Sequence, residues 1–287
     1  MRALFGPAGQ DEASRLEIKH TVDFIRHLAE YGATAYEYQC GHGTRIREEK
    51  AREIGEAARE NGVALSLHAP YYISLASADE EKRENSIRYI LESGWIVDWM
   101  GGQRIVVHPG GLSKMERGEA TRIACETLRR AREALDGEGL EDVVLCLETM
   151  GKVNQLGDLE EVLTFCELDE RNLPCIDFGH LNARTQGGLG EKSDFAAVLD
   201  RMEEILGAER LRSFHGHFSK IEFSKGGEVR HLTFEDEQYG PRCEPLLELV
   251  AERGLVPTFI CESAGTQLAD ALTMKKYYEK QLTLQGG

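Results

Sequence analysis

Short, continuously apolar, β-branched runs alternate along this chain with longer stretches whose apolar residues return near a 3.6-residue period. The first run, Arg2-Ala-Leu-Phe-Gly, leads into helix-like sequence from Asp11 to about Tyr31, and Gly32 is placed to end it. Ala33 to Tyr38 is the second strand, followed by a strongly charged helix from Arg45 to Glu60 with Asn61-Gly62 as its stop. Val63 to His68 is the third strand, followed by a helix from about Asp79 to Met100. Arg104 to His108 is the fourth, followed by a helix from Glu119 to Leu135. Asp142 to Glu148 is the fifth, with a helix from Asp158 to Leu168. The sixth runs through Cys175, and a helix from Asp194 to Leu206 comes after it. Leu211 to His215 reads as the seventh strand, with a long loop from Gly216 to Gly240 and a helix over Glu244 to Glu252 behind it. Pro257 to Glu262 is the eighth strand, and Leu268 to Leu282 the last helix.

Eight strands alternating with eight helices predict an α/β protein of the (β/α)8 TIM barrel class, spanning residues 1–287 as one domain. Runs that are apolar throughout suit a parallel sheet buried on both faces. A doubly wound open sheet is the competing architecture. It gathers its ligands near one switch point, whereas a closed barrel brings every strand end round one mouth. The polar residues here favour the barrel.

Those polar residues sit at the strand tips. Leu65-Ser-Leu-His68, Ile105-Val-Val-His108, Val144-Leu-Cys-Leu-Glu148, Cys175-Ile-Asp177 with His180, Leu211-Arg-Ser-Phe-His215 and Phe259-Ile-Cys-Glu262 each deliver a His, Asp or Glu at the C-terminal end. Of nine histidines, His68, His108, His180, His215, His217 and His231 all lie at or beyond such ends, where barrel enzymes keep their chemistry. His20 and His27 on the first helix read as packing or surface residues, and His42 is left unassigned. Adding Glu148, Asp177 and Glu262 gives the mouth too many N and O ligands for one tetrahedral zinc. Two or three ions sharing bridging carboxylates fit the set. Mixed imidazole and carboxylate ligation suits Zn²⁺, with Mn²⁺ or Fe²⁺ as alternatives. Metal ions about 3.5–4 Å apart form a known clamp for in-line attack on phosphate esters.

Charge and cysteine change this picture little. The formal net charge of −16 argues against indiscriminate nucleic-acid binding, but leaves room for a local basic groove or for ions that supply positive charge. The seven cysteines form no Cys-x-x-Cys pair, and most sit in apolar runs, so they read as reduced, buried small hydrophobes. No apolar run approaches the roughly 20 residues of a membrane span. The N-terminus lacks a signal-peptide layout, and a cytoplasmic protein without a membrane partner is expected.

Taken in order, Leu67-His-Ala-Pro-Tyr-Tyr-Ile-Ser-Leu75, His108-Pro-Gly-Gly, Leu147-Glu-Thr-Met-Gly-Lys, Cys175-Ile-Asp-Phe-Gly-His-Leu, His215-x4-Lys220, Arg230-His231 and Cys261-Glu-Ser resemble the endonuclease IV family. Its members are apurinic/apyrimidinic endonucleases of base-excision repair, TIM barrels with a three-zinc site. The resemblance runs from about residue 60 to 265. It implies that His68 and His108 hold one metal and that Glu148 bridges it to a second, completed by Asp177, His215 and Glu262. His180 and His231 would bind the third. The family adds an Asp two residues before that last histidine. Here the position is Val229, with Glu228 adjacent and His217 as a further substitute. Glu148 and Glu262 would position ions and nucleophile, and the partner would be double-stranded DNA carrying an abasic site.

The family also inserts an Arg-containing wedge into DNA from the loop after the second strand. Here that loop, Gln39-Cys-Gly-His-Gly43, has no Arg before Arg45. Tyr71 and Tyr72 are the aromatic candidates for stacking on a base. Lys220, Lys225 and Arg230 are the nearest basic candidates for phosphate. The alternative is a sugar isomerase or epimerase of the xylose isomerase-like superfamily. Such enzymes resemble the subset Glu148, Asp177, His215 and Glu262 around one divalent ion, with two glutamates moving a proton beside a carbonyl of a small sugar.

Overall fold

The computed structural model describes residues 2–41 and 43–285. In chain order the elements are β1 (Leu4–Pro7), α1 (Glu12–Glu17), α2 (Thr21–Glu30), β2 (Ala35–Gln39), α3 (Glu48–Glu60), β3 (Ala64–His68), α4 (Glu80–Trp99), β4 (Arg104–Val107), α5 (Arg117–Gly137), β5 (Val144–Glu148) and α6 (Leu159–Glu167). They continue with β6 (Leu173–Asp177), α7 (Phe178–Arg184), α8 (Lys192–Leu206), α9 (Ala208–Arg212), β7 (His215–Phe218), β8 (Lys220–Ser224), β9 (Gly227–Leu232), α10 (Glu244–Glu252), β10 (Thr258–Cys261) and α11 (Gln267–Gln285). Eight strands pair in parallel in the order β1-β10-β7-β6-β5-β4-β3-β2. The ring closes between β1 and β2 through a parallel bridge from Ala8 to Glu37, with Gly9 N–H donating to Glu37 O at 2.9 Å and Thr34 N–H to Phe5 O at 2.8 Å. This is the expected (β/α)8 TIM barrel, with β8 and β9 added as an antiparallel hairpin after β7.

Period-two alternation divides the sheet into two faces. One face packs against the helices in the main core, where Phe5, Leu67, Ile105, Leu145, Leu147, Ile176 and Phe259 are buried. Alternate residues point inward, where Val106, Cys146 and Cys175 form a separate small cluster beside Val144 and Leu173. Continuing that inward parity by two residues reaches His108, Glu148 and Asp177. The cluster is a floor, and the polar tips lie one layer above it.

The helices are placed by ordinary local signals. Asp158 accepts the Glu161 N–H at 2.9 Å while the Glu161 carboxylate accepts from Asp158 N–H at 3.1 Å, a reciprocal cap that starts α6. The single helix expected from Asp11 to Tyr31 is two. Ile18 turns to extended geometry after α1, its carbonyl is held by Gln10 Nε2 at 2.9 Å, and α2 restarts after His20. Among the described residues no helix is long and apolar enough to cross a membrane.

One strand differs from its expectation with consequences for the site. Leu211 is not the start of β7 but part of the short helix α9, and β7 begins at His215, where it was expected to end. The Arg104 guanidinium fixes the junction by donating to Ser213 O at 2.7 Å and Phe214 O at 3.4 Å, and Val256 N–H donates to Arg212 O at 2.7 Å. An apolar Leu and Phe flanking polar residues satisfy a buried helical turn as well as a strand, so composition alone does not separate the two.

Closure depends on Gly6. A Cβ there would lie 1.7 Å from Ala35 O across the β1–β2 seam. Gly6→Ala must push the strands apart, and such overpacking costs about 1–3 kcal/mol. Thermal unfolding followed by circular dichroism should fall by several degrees. An unchanged melting temperature would mean the seam is looser than described.

Candidate metal centre

The register of the barrel sets which side chains meet. β6 pairs with β7 so that Asp177 lies opposite His217 and Cys175 opposite His215. His217 is therefore level with the ligand tips, and His215 is one layer deeper. Among the described residues four groups of candidate ligand atoms result, each with all atoms within 4.8 Å of one another. Three lie at the mouth: His68, His108 and Glu148; Glu148, Asp177, His217 and Glu262; and His180, Glu228 and His231. The fourth, Cys175, His215 and His217, is buried beneath them.

Glu148 is the hub. His108 Nε2 lies 2.9 Å and His68 Nε2 3.4 Å from its Oε2, while His180 Nδ1 at 3.2 Å and His217 Nδ1 at 3.5 Å face Oε1. Burial would raise this carboxyl, but the charges on His108 and His217 and the close approach of the His108 and His180 rings hold it well below the usual range. Asp177 spends Oδ1 on capping α7, accepting His180 N–H at 2.7 Å, and turns Oδ2 to the cluster. Burial pushes the Asp177 carboxyl up to about 6 against the pull of His180.

The histidines are oriented from behind. His68 Nδ1 contacts Ala69 O at 2.8 Å, His180 Nδ1 contacts Thr149 O at 2.9 Å, and His231 Nδ1 contacts Ser219 Oγ at 2.8 Å. Each contact is the usual device for fixing the tautomer of a metal-binding imidazole, and each leaves Nε2 for the mouth. His217 is turned the other way round. Its Nδ1 faces Glu148 and Glu262, both at 3.5 Å, and its Nε2 is 3.1 Å from Glu37 Oε1.

Two positions depart from the sequence expectation. His215 is not beside Glu148, Asp177 and Glu262; His217 takes that place. The cause is the later start of β7, which moves the inward-facing tip two residues along the chain. At the third group, Glu228 supplies the carboxylate, with Oε2 3.5 Å from His180 Nε2 and Oε1 3.9 Å from His231 Nε2. Residues three apart on a regular strand face opposite ways. Here β9 carries a bulge, Glu222 pairing with Arg230 and Phe223 with Glu228, so Val229 is the extra residue and is left 51% exposed. The bulge resets the parity and turns Glu228 and His231 to one side. Gly227 permits the close approach behind it: φ is +91°, and an added Cβ would lie 2.1 Å from Gly151 O.

The remaining candidates separate clearly. The mouth opens into a cavity of about 330 Å³ whose lining includes Tyr71, Met150, Lys152 and Gln155 along with six of the candidate ligands. Tyr71 lies with its ring 5.6 Å from both His68 and His108. Tyr72 is exposed and packs on Tyr89 instead. Lys220 Nζ donates to Phe234 O at 2.8 Å and to Asp236 O, so it braces the loop after the hairpin. Arg230 pairs with Glu222 at 2.6 Å on the outer hairpin surface. Neither cation lines the mouth, where Lys152 lies instead. The loop that carries Lys152 is fastened by Arg184, donating to Met150 O, Lys152 O and Gln155 O at 2.8–3.2 Å. No run of basic residues in the sequence marks Lys152 out, and only the folded loop brings it there. His42 lies outside the described residues.

The donor set fits divalent ions. Glu148 Oε1 and Oε2, Asp177 Oδ2 and His217 Nδ1 are buried with no hydrogen-bond partner of good geometry, although they crowd together. Unpaired buried carboxylates are costly, and cations among them remove that cost. His68, His108 and Glu148 would hold one ion, Glu148, Asp177, His217 and Glu262 a second, and His180, Glu228 and His231 a third. Oxygen and imidazole donors without thiolate suit Zn²⁺, Mn²⁺ or Fe²⁺.

Three measurements follow from this geometry. Chelator-stripped protein should bind up to three Zn²⁺ per chain, and Glu228→Ala should bind one fewer; an unchanged count would remove Glu228 from the site. Stripping should also lower the melting temperature, since the ions bind only the folded arrangement. Neighbouring carboxylates lift His68 to about 8 and His180 to about 10, each against the opposing effect of burial. Their protons are therefore bound at pH 7 and must leave as ions bind. Zn²⁺ uptake should release protons and weaken as pH falls, and calorimetry in two buffers of different ionisation enthalpy that detects no release would contradict this.

The family model described as the xylose isomerase-like TIM barrel matches residues 25–282. An uncharacterized protein of Methanocaldococcus jannaschii is 34% identical over 276 residues, covering 96% of this chain and 97% of that one. A protein of Methanosphaera stadtmanae named probable endonuclease 4 is 31% identical over 161 residues, covering 54% of this chain and 55% of its own. Among solved structures, a D-tagatose 3-epimerase-like protein superposes with a TM-score of 0.69 at 19% identity, over 91% of this chain and 94% of its own. Endonuclease IV from Thermus thermophilus superposes with a TM-score of 0.60 at 18% identity, over 92% of this chain and 94% of its own. These two likenesses bear on the fold alone. The chain belongs to the xylose isomerase-like TIM barrel family.

Proposed function

We propose that this protein is a metal-dependent phosphodiesterase of endonuclease IV type, acting on the DNA backbone at abasic sites. The observation that carries the reading is the presence of ligand groups on both sides of the inner one. A single-ion sugar epimerase needs a set such as Glu148, Asp177, His217 and Glu262. It has no use for the pair His68 and His108, or for the separate triad His180, Glu228 and His231. The relative named probable endonuclease 4 supports the same direction.

Divalent ions held in these groups would supply Lewis acidity and positive charge where a phosphodiester gathers negative charge. The chain's own groups do the rest. Glu148, with both oxygens engaged, spans the first and second ligand groups and fixes their separation. Glu262 lines the cavity and, with Glu148, would position the ions and the attacking water. The ring of Tyr71, 57% exposed, offers a stacking face beside the ligands, and the Lys152 ammonium is placed for a phosphate oxygen.

A second reading, a divalent-metal-dependent epimerase of a small sugar, is favoured by the thin supply of free cations. Lys152 is the one lysine or arginine lining the mouth cavity among the described residues, and Lys220 and Arg230 are engaged elsewhere. The net charge of −16 points the same way.

Incubation of the Zn²⁺- or Mn²⁺-loaded protein with a duplex carrying one abasic site separates the readings. Incision of the backbone at the lesion is expected, with the 3′-oxygen as leaving group, so a 3′-hydroxyl end results. Glu148→Gln should cut the rate by at least about a hundredfold, since even residues behind a metal ligand cost 10–100-fold. No incision above a protein-free control, together with exchange at the carbon beside a ketose carbonyl, would give the site to the epimerase reading.

A further inference from the structure

Both readings use the inner ligand group, and neither gives a role to the charge buried beneath it. Glu37, on β2, lies inside the barrel with no solvent exposure. Its register partner Ser66 donates Oγ–H to Oε2 at 2.9 Å, and His215 Nε2 meets the same oxygen at 3.0 Å. The other oxygen, Oε1, accepts from Gln39 Nε2 at 3.3 Å and lies 3.1 Å from His217 Nε2, an ion-pair contact too bent to be a hydrogen bond as the ring stands. Four groups thus converge on one carboxylate in the barrel interior.

A barrel core has no structural need for such a group. Burying a carboxylate costs several kcal/mol, and a well-packed apolar core of equal volume is often at least as stable. The cost becomes intelligible from the orientation of His217. His68 and His180 turn Nδ1 to backbone carbonyls that lie just outside the sheet and so present Nε2 to the mouth. His217 is reversed. Its Nδ1 is 3.5 Å from both Glu148 Oε1 and Glu262 Oε2, and its Nε2 points down into the barrel. The backbone carbonyls at that depth belong to the strand ladders, so a side chain must hold the ring.

We propose that Glu37 is a positioning residue for the metal centre: it fixes the tautomer and ring orientation of His217 so that Nδ1 is the ligand atom, and His215 is the strut that holds Glu37 in place. This makes His215 a support behind the ligand, one layer below the mouth chemistry. It also assigns the polar cluster on β2, β3 and β7 to metal binding. The arrangement serves the inner ion whichever substrate the mouth accepts.

The test reads metal binding, so it is independent of any turnover assay. Glu37→Gln is nearly isosteric, but it removes the charge and turns an amide N–H₂ towards one of the imidazoles. Co²⁺ loading should show an inner site about 10–100-fold weaker than in the unaltered protein, with shifted visible d–d bands. Parental affinity and spectrum in a variant that circular dichroism shows to be folded would overturn the proposal. Should Glu37→Gln fail to fold, nitrogen–proton NMR correlations of His217 in the unaltered Zn²⁺-loaded protein decide. A proton on Nε2 and none on Nδ1 is expected, and a protonated Nδ1 would overturn it. So would an intense sulfur-to-cobalt charge-transfer band, because Cys175, His215 and His217 would then surround an ion themselves.

Discussion

Parity along the strands is the constraint on which this molecule depends. In a closed barrel one residue in two faces the interior, and only the last of these on each strand reaches the mouth. Six strands here place His or a carboxylate at, or just beyond, that position. A shift of one residue in any of them would send its ligand into the helix-facing core, and a shift of two would drop it a layer. The mutual register of β6 and β7, with Asp177 opposite His217, is therefore as much part of the candidate metal centre as the side chains themselves.

Concentrating charge in this way is expensive. Glu37, Glu148 and Asp177 are fully buried, and each would cost several kcal/mol if left unpaired. The fold offsets the cost locally. Imidazoles stand between the carboxylates, Asp177 caps a helix, and carbonyls or hydroxyls hold the far side of His68, His180 and His231. Cations held in the three mouth groups would complete the balance. Residues at the rim do different work. Arg184 and Gly227 fasten the loop after β5 and the β8–β9 hairpin over the centre, and Tyr71 and Lys152 line the cavity above it.

Much of this was legible in the chain. Short apolar runs ending in His, Asp or Glu are strong signals, because a buried parallel strand tolerates polar residues only at its end. That is why the barrel could be read from the order of residues, along with seven of the candidate ligand side chains that the structure gathers at its mouth. The two departures share a cause, since both concern phase. Leu211 and Phe214 are as apolar as a strand, yet Leu211 belongs to a helical turn and Phe214 to the junction after it, so the tip histidine is His217 rather than His215. Glu228 and His231 are an odd number of residues apart, and only the bulge at Val229 puts them on one side. Both effects depend on a neighbouring strand and leave no mark in local composition. Glu37 was missed for a related reason: a lone Glu in an apolar run has no partner visible in sequence, and its partners are 29 and 178 residues away.

The most direct test of the account is anomalous diffraction from crystals of the protein loaded with Zn²⁺. Three peaks at the mouth are predicted, the inner one coordinated by Glu148, Asp177, Glu262 and Nδ1 of His217, with His215 bonded to Glu37 and unligated. A single peak, or an inner ion bound by His215, would contradict it.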